Sequence, residues 1–152
     1  EDHISEFVEM GDVTTCIYLG THAVRDTMDR LLEQERAGYG LSAYMVLTST
    51  GAIAEDSTAR EAVSAIPAEE WSLTPREADE PVTLGEFSYL LMRALDIQGG
   101  IMYRLFPGPR YAARELKYLG FVPGEGAPGR FISGSDAVHI LGRALEWKEA
   151  RS

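Results

Sequence analysis

The sequence predicts an all-α domain: two helix-loop-helix repeats behind a long N-terminal packing helix. Three observations predict it. Fourteen residues, Val82 to Leu95, line up with Ile132 to Leu145 fifty positions on, with Leu91, Arg93, Ala94 and Leu95 returning unchanged as Leu141, Arg143, Ala144 and Leu145. A period of this size marks a duplicated unit that hides its apolar face against its neighbours. Each copy opens on a hydroxyl residue followed three positions later by an acid, and then shows apolar residues at helical spacing. The first forty residues carry a further stripe of the same period.

Taken in order, Val13, Ile17, Gly20, Val24, Met28 and Leu31 recur every three or four positions and predict an amphipathic helix from about Asp12 to Arg36, ended by Gly38 and Gly40. Asp12 or Thr14 is its expected cap, and Cys16 its buried free thiol. A helix from Leu41 to about Thr50, stopped by Gly51, opens the first repeat. An insert from Ala54 to Glu80 follows. It holds a short helix capped by Asp56 or Ser57 and stopped by Pro67, and then a polar, proline-bounded stretch over residues 72–81 that reads as an exposed connection.

Thr83 and Glu86 then form the expected capping box of a helix whose stripe is Phe87, Leu90, Leu91, Ala94 and Leu95. The second repeat begins at Pro109, which suits a first helical turn, and runs through Ala112, Ala113, Leu116 and Leu119 to a stop at Gly120. After a glycine- and proline-rich loop, Ser133 and Asp136 cap the last helix, with Asp too short to return the bond as well as Glu does. Arg93 and Arg143 lie in final turns, where a cation suits the helix dipole. The resulting organisation is one compact domain over residues 1–152. Residues 1–39 are an N-terminal helical segment, 40–98 the first repeat with its insert, and 99–152 the second repeat.

This order of helix, glycine stop, loop and Thr/Ser-x-x-acid helix ending in Arg-Ala-Leu resembles the S-layer homology module over roughly residues 40–147. Phe106, Tyr111, Ala112, Leu116, Gly120, Phe121, Gly124, Phe131, Ile132, Ser133, Asp136 and Arg143-Ala144-Leu145 carry the likeness. So do Val82-Thr83, Glu86-Phe87, Leu90-Leu91 and Arg93-Ala94-Leu95 in a second, partial copy. The resemblance implies short paired helices and a place at the cell envelope or in the periplasm. Family members usually carry three modules, and two are legible here. The arginine that follows the motif threonine, associated in the family with gripping anionic cell-wall polymer, is Leu84 in one copy and Gly134 in the other. Phe106 is followed by Pro107-Gly108-Pro109 where the family has an acid.

The net charge of −10 disfavours nucleic acid and anionic membrane surfaces as partners. Its distribution is uneven. Residues 1–100 hold nineteen acids against six Lys and Arg, whereas Arg104, Arg110, Arg114, Lys117 and Arg130 face only Glu115 and Glu125 between 101 and 130. Tyr103, Arg104, Arg110, Tyr111, Arg114, Lys117 and Arg130 are therefore the candidate binding residues, either for an acidic protein surface or for an anionic polymer. The competing expectation is that these cations answer the acidic half of the same chain. No apolar run is long enough to span a bilayer. The chain opens on Glu1-Asp2 without Met, which fits export followed by cleavage as well as simple trimming.

His3, His22 and His139 are scattered, the single Cys16 excludes an internal disulfide, and no metal, phosphate-loop, dinucleotide or nucleophile-elbow pattern appears. No cofactor is expected. The reading is a non-catalytic, exported or envelope-associated structural domain that docks a protein partner or assembles with itself. The alternatives are a cell-wall polymer binder and, with least support, a small hydrolase.

Overall fold

The computed structural model describes residues 22–74 and 76–151. Among them eight helices and no strands are present: α1 (His22–Leu32), α2 (Tyr39–Ser49), α3 (Ala59–Ala65), α4 (Ala68–Trp71), α5 (Leu84–Ala94), α6 (Ile101–Leu105), α7 (Pro109–Tyr118) and α8 (Gly134–Ala150). The all-α class is as the sequence predicts. The expected caps Asp12 and Thr14, the start of the N-terminal helix and Cys16 lie outside the described residues.

The helices close into a ring. Three extended pairs, Ala37-Gly38, Val82-Thr83 and Ile132-Ser133, each lead directly into a helix (α2, α5 and α8), and Ala37, Val82 and Ile132 are wholly buried. Ala37 N–H donates to the Ile132 carbonyl at 2.7 Å, and Val82 N–H donates to the Ala37 carbonyl at 2.9 Å. Gly38 pairs with Pro81 and Thr83 with Phe131 as isolated antiparallel bridges.

The first N–H groups of a helix have no partner within it. Here the chain supplies one from elsewhere in the ring, three times over. Tyr39 and Gly40 donate to the carbonyls of Glu80 and Ala78, at 2.8 and 2.9 Å. Leu84 and Gly85 donate to Arg130 and Pro128, again at 2.8 and 2.9 Å, and Gly134 donates to Gln34 at 2.9 Å. Side-by-side packing follows the same cycle: α2 lies on α3, α5 on α7, and α8 on α1.

This cycle regroups the expected first repeat. Tyr39–Ser49 stands where Leu84–Ala94 stands one step around the ring, not where Pro109–Tyr118 does. The place of Pro109–Tyr118 is taken by Ala59–Ala65, inside the segment read as an insert. Two close approaches fix the equivalence. A Cβ at Gly40 would lie 3.0 Å from that of Ala59 and 2.8 Å from that of Ala78, and a Cβ at Gly85 would lie 3.0 Å from that of Pro109 and 3.1 Å from that of Pro128. Glycine at both positions lets the following helix cross closely.

Other boundaries differ for local reasons. α1 ends at Leu32 rather than near Gly38, because Gln34 turns its side-chain oxygen onto the Gly38 N–H at 2.8 Å and the chain enters the ring. α3 is capped by Thr58, not by Asp56 or Ser57: Thr58 Oγ1 accepts from Glu61 N–H at 3.0 Å, and the Glu61 carboxylate accepts from Thr58 N–H at 2.8 Å. The stretch over 72–81 is more than an exposed connection, since Leu73 is buried and Ala78 and Glu80 supply carbonyls to α2. The one-turn helix α4 and the five-residue α6 are additional to the elements expected.

One buried cluster, extending from Val24 to Ala144, joins the expected stripes of α5, α7 and α8. The packing is less direct than two facing copies would be, because α5 sits chiefly on α7 and α8 chiefly on α1. The cap geometry bears out the difference between the two boxes. Thr83 Oγ1 accepts from Glu86 N–H at 3.2 Å and Glu86 accepts from Thr83 N–H at 3.1 Å, whereas Ser133 accepts from Asp136 N–H at 3.0 Å without a return bond. Glu86 also meets the Arg76 guanidinium at 2.9 Å, which ties the cap to the preceding connection. Thr83→Ala and Ser133→Ala are each expected to lower stability by about 1 kcal/mol in urea denaturation, with Thr83→Ala the larger loss. Equal or smaller loss at Thr83 would show that the reciprocal bond adds nothing.

Candidate functional site

The predicted binding residues fall on α6, α7 and the loop after α7. Gly99, at φ +73°, turns the chain into α6, and Pro107-Gly108 separates α6 from α7, which starts on Pro109. Five residues make little more than one helical turn, so α6 can bury only a narrow side. Tyr103 takes it. Ile101, Met102, Leu105 and the following Phe106 are left facing outward, with Ile101 73 % exposed, and Tyr118 at the end of α7 is 84 % exposed. Single exposed apolar residues are ordinary on any protein surface, but adjacent ones sharing a hollow mark a contact surface. Ile101, Met102, Tyr111 and Tyr118 line one hollow of about 440 Å³ between α6 and α7, together with Gly100, Tyr103, Arg114 and Glu115.

Arg110 and Arg114 stand one turn apart on α7, both exposed, with their guanidinium carbons 5.6 and 5.7 Å from the centre of the Tyr111 ring. Such stacking holds a guanidinium in place while leaving its N–H fork open. The Phe106 ring lies 6.3 Å from Tyr111, and Arg104 is exposed on α6. Among the described residues, no carboxylate comes within ion-pair distance of Arg104, Arg110 or Arg114.

The rest of the predicted set divides differently. Lys117 donates its ammonium to the Gly124 carbonyl. Arg130 donates Nε–H to the Glu125 carbonyl at 2.7 Å and an Nη2–H to the Pro123 carbonyl at 2.8 Å, and its Nη1 lies 3.9 Å from Asp136 Oδ2. Both cations hold the loop after α7 against the helices, and Lys117 remains exposed while doing so. Tyr103 is only 6 % exposed and meets Tyr89 edge to face at 6.2 Å. Burial, followed by the neighbouring Tyr89, pushes its phenol up to about 12. Its ring forms part of the hollow's wall, and its buried hydroxyl has no hydrogen-bond partner among the described protein groups. Arg104, Arg110, Tyr111 and Arg114 remain at the surface.

The apolar members of the face were absent from the predicted set. Phe106 was placed among the motif's structural positions and is instead 59 % exposed. The signal was present in the pairs Ile101-Met102 and Leu105-Phe106 after two glycines. A short apolar run, however, reads the same whether it is buried or not. Arg93, assigned a local role, donates to the Glu70 carbonyl at 3.3 Å, and its guanidinium lies over Tyr89 at 5.7 Å; Arg143 is exposed. Among the described residues no cluster of three His, Cys, Asp or Glu side chains is arranged to hold a metal ion, and no helix is long and apolar enough to cross a membrane.

No protein-family model matches the chain, and neither does any curated protein or solved structure.

Proposed function

We propose that this chain is a non-catalytic protein-docking domain of an exported or envelope-associated assembly, and that its docking face is the α6–α7 surface. The observation that carries the reading is the exposed apolar hollow with Arg114 in its lining and Arg110 beside the same Tyr111 ring, neither within ion-pair distance of a carboxylate among the described residues. Aromatic residues, Met and Arg are the residue types enriched where proteins meet. The resemblance to S-layer homology modules is kept as part of the proposal. The cyclic packing of three helix pairs supports it, since members of that family usually carry three modules.

Cell-wall polymer is the second reading, favoured by the two guanidinium groups held over Tyr111. Two observations weigh against it. Leu84 and Gly134, which stand at the family's polymer-gripping position, are both buried within the ring. The exposed aliphatic side chains of Ile101, Met102 and Leu105 suit a protein surface better than a hydrated polymer.

Sedimentation with purified cell wall separates the two. Arg110→Glu combined with Arg114→Glu is expected to release a specific partner protein while leaving wall sedimentation unchanged. Loss of wall sedimentation in that variant, together with strong weakening of the wild type by salt, would transfer the face to polymer.

A further inference from the structure

The chemistry of the face narrows the kind of protein that fits it. Both walls of the hollow are helices, and only the first-turn N–H groups of α6 and α7 are left without a side-chain cap. No strand occurs among the described residues, so this face offers no edge on which an extended segment could continue a sheet. An incoming backbone must therefore satisfy most of its own hydrogen bonds, and a helix does so for all but its end groups.

Charge and spacing add a second constraint. Arg110 and Arg114 rise about 6 Å along α7, one helical turn, and carboxylates four residues apart on a neighbouring helix repeat at the same interval. Arg104, on α6, lines a separate hollow with Trp71, Arg93 and Asp96, so the cations of this face are those of α7.

A second copy of this chain is a poor occupant. Apart from this face, the large apolar residues exposed among the described positions are Leu32 and Phe131, with no stripe between them. A symmetric contact would instead bring Arg110 and Arg114 of each copy against their own equivalents.

We infer that the occupant is an amphipathic helix of a partner protein, its apolar stripe set into the α6–α7 hollow and its carboxylates flanking that stripe to meet Arg110 and Arg114. The inference rests on the docking reading above and goes beyond it by assigning the partner's secondary structure and charge.

The test uses three fluorescent synthetic peptides of about 18 residues, long enough for a marginally stable helix. One carries leucines at helical spacing flanked by glutamates, the second has lysines in place of the glutamates, and the third is the glutamate peptide broken by two central prolines. The glutamate helix is expected to bind and to gain helical circular dichroism on binding. Arg110→Ala with Arg114→Ala should weaken it on the order of tenfold, and 0.5 M salt should weaken it as well. Ile101→Asp, at a 73 % exposed position in the hollow's lining that leaves the core intact, should abolish it. Equal binding by the proline-broken peptide would overturn the helix while leaving the docking reading in place. Equal binding by the lysine peptide would overturn the charge assignment, and binding by none of the three would overturn the inference as a whole. Failure of the docking reading itself has a separate signature: the arginine dependence then appears in wall sedimentation.

Discussion

Leu91→Ala and Leu141→Ala are each expected to lower stability by roughly 2–5 kcal/mol. Leu91 is wholly buried on α5 and Leu141 almost so on α8, yet the two helices contribute to the core by different routes. α5 packs on α7 and α2, while α8 packs on α1 and again on α2. Removing either side chain leaves a cavity that rigid neighbouring helices fill only in part, so the loss exceeds the transfer free energy of the deleted methyls. Each kilocalorie should lower the melting temperature by about 2–4 °C in a chain of this size. Because a single cluster joins the two sites, each variant should shift one common unfolding transition. Two resolved transitions, with each mutation moving a different one, would show that the ring holds two separate cores.

The sequence made some parts of this ring legible and hid others for definable reasons. α5, α7 and α8 were recoverable because each has a strong start signal and one apolar stripe. Thr83, Pro109 and Ser133 do begin their helices. α2 is legible as a helix from Leu41 to about Thr50, but its place in the ring is not, because it offers neither cue. Its cap position is Gly38, which has no side chain to bond the first turn, and nine of its eleven residues are buried, so there is no polar face against which to align a stripe. Its equivalence to α5 emerges only from hydrogen bonds to Ala78 and Glu80, which are remote in the chain. The Thr58 and Glu61 box, by contrast, is legible in the sequence, with a hydroxyl directly before Ala59 and an acid three positions on.

The candidate face shows a similar division. Composition singled out the basic stretch and helical spacing paired Arg110 with Arg114, and both remain at the surface. Nothing in the sequence separated those arginines from Lys117 and Arg130, whose partners are backbone carbonyls at Pro123, Gly124 and Glu125. A lysine or arginine that closes a loop and one that awaits a partner have the same letter and the same neighbours. Only the fold of the loop between α7 and α8 distinguishes them.

Gly134→Ala is expected to cost about 3 kcal/mol or more, the upper part of the range for forcing volume into a packed interior. A Cβ at this position would overlap the carbonyl oxygen of Leu31 and stand 3.3 Å from that of Gln34. Those atoms are backbone at the end of α1, so no side-chain rotation relieves the clash. The start of α8 would have to move away from α1, straining the bond from Gly134 N–H to the Gln34 carbonyl and loosening the packing of the last helix on the first. The helix propensity of alanine, nearly 1 kcal/mol better than glycine, acts in the opposite direction and is too small to compensate. Gly129→Ala supplies the control, since its added methyl would meet nothing within 4 Å and should leave the urea midpoint nearly unchanged. A Gly134→Ala variant as stable as the Gly129→Ala control would mean that α1 and α8 do not approach this closely, and that the ring is open between its first and last described helices.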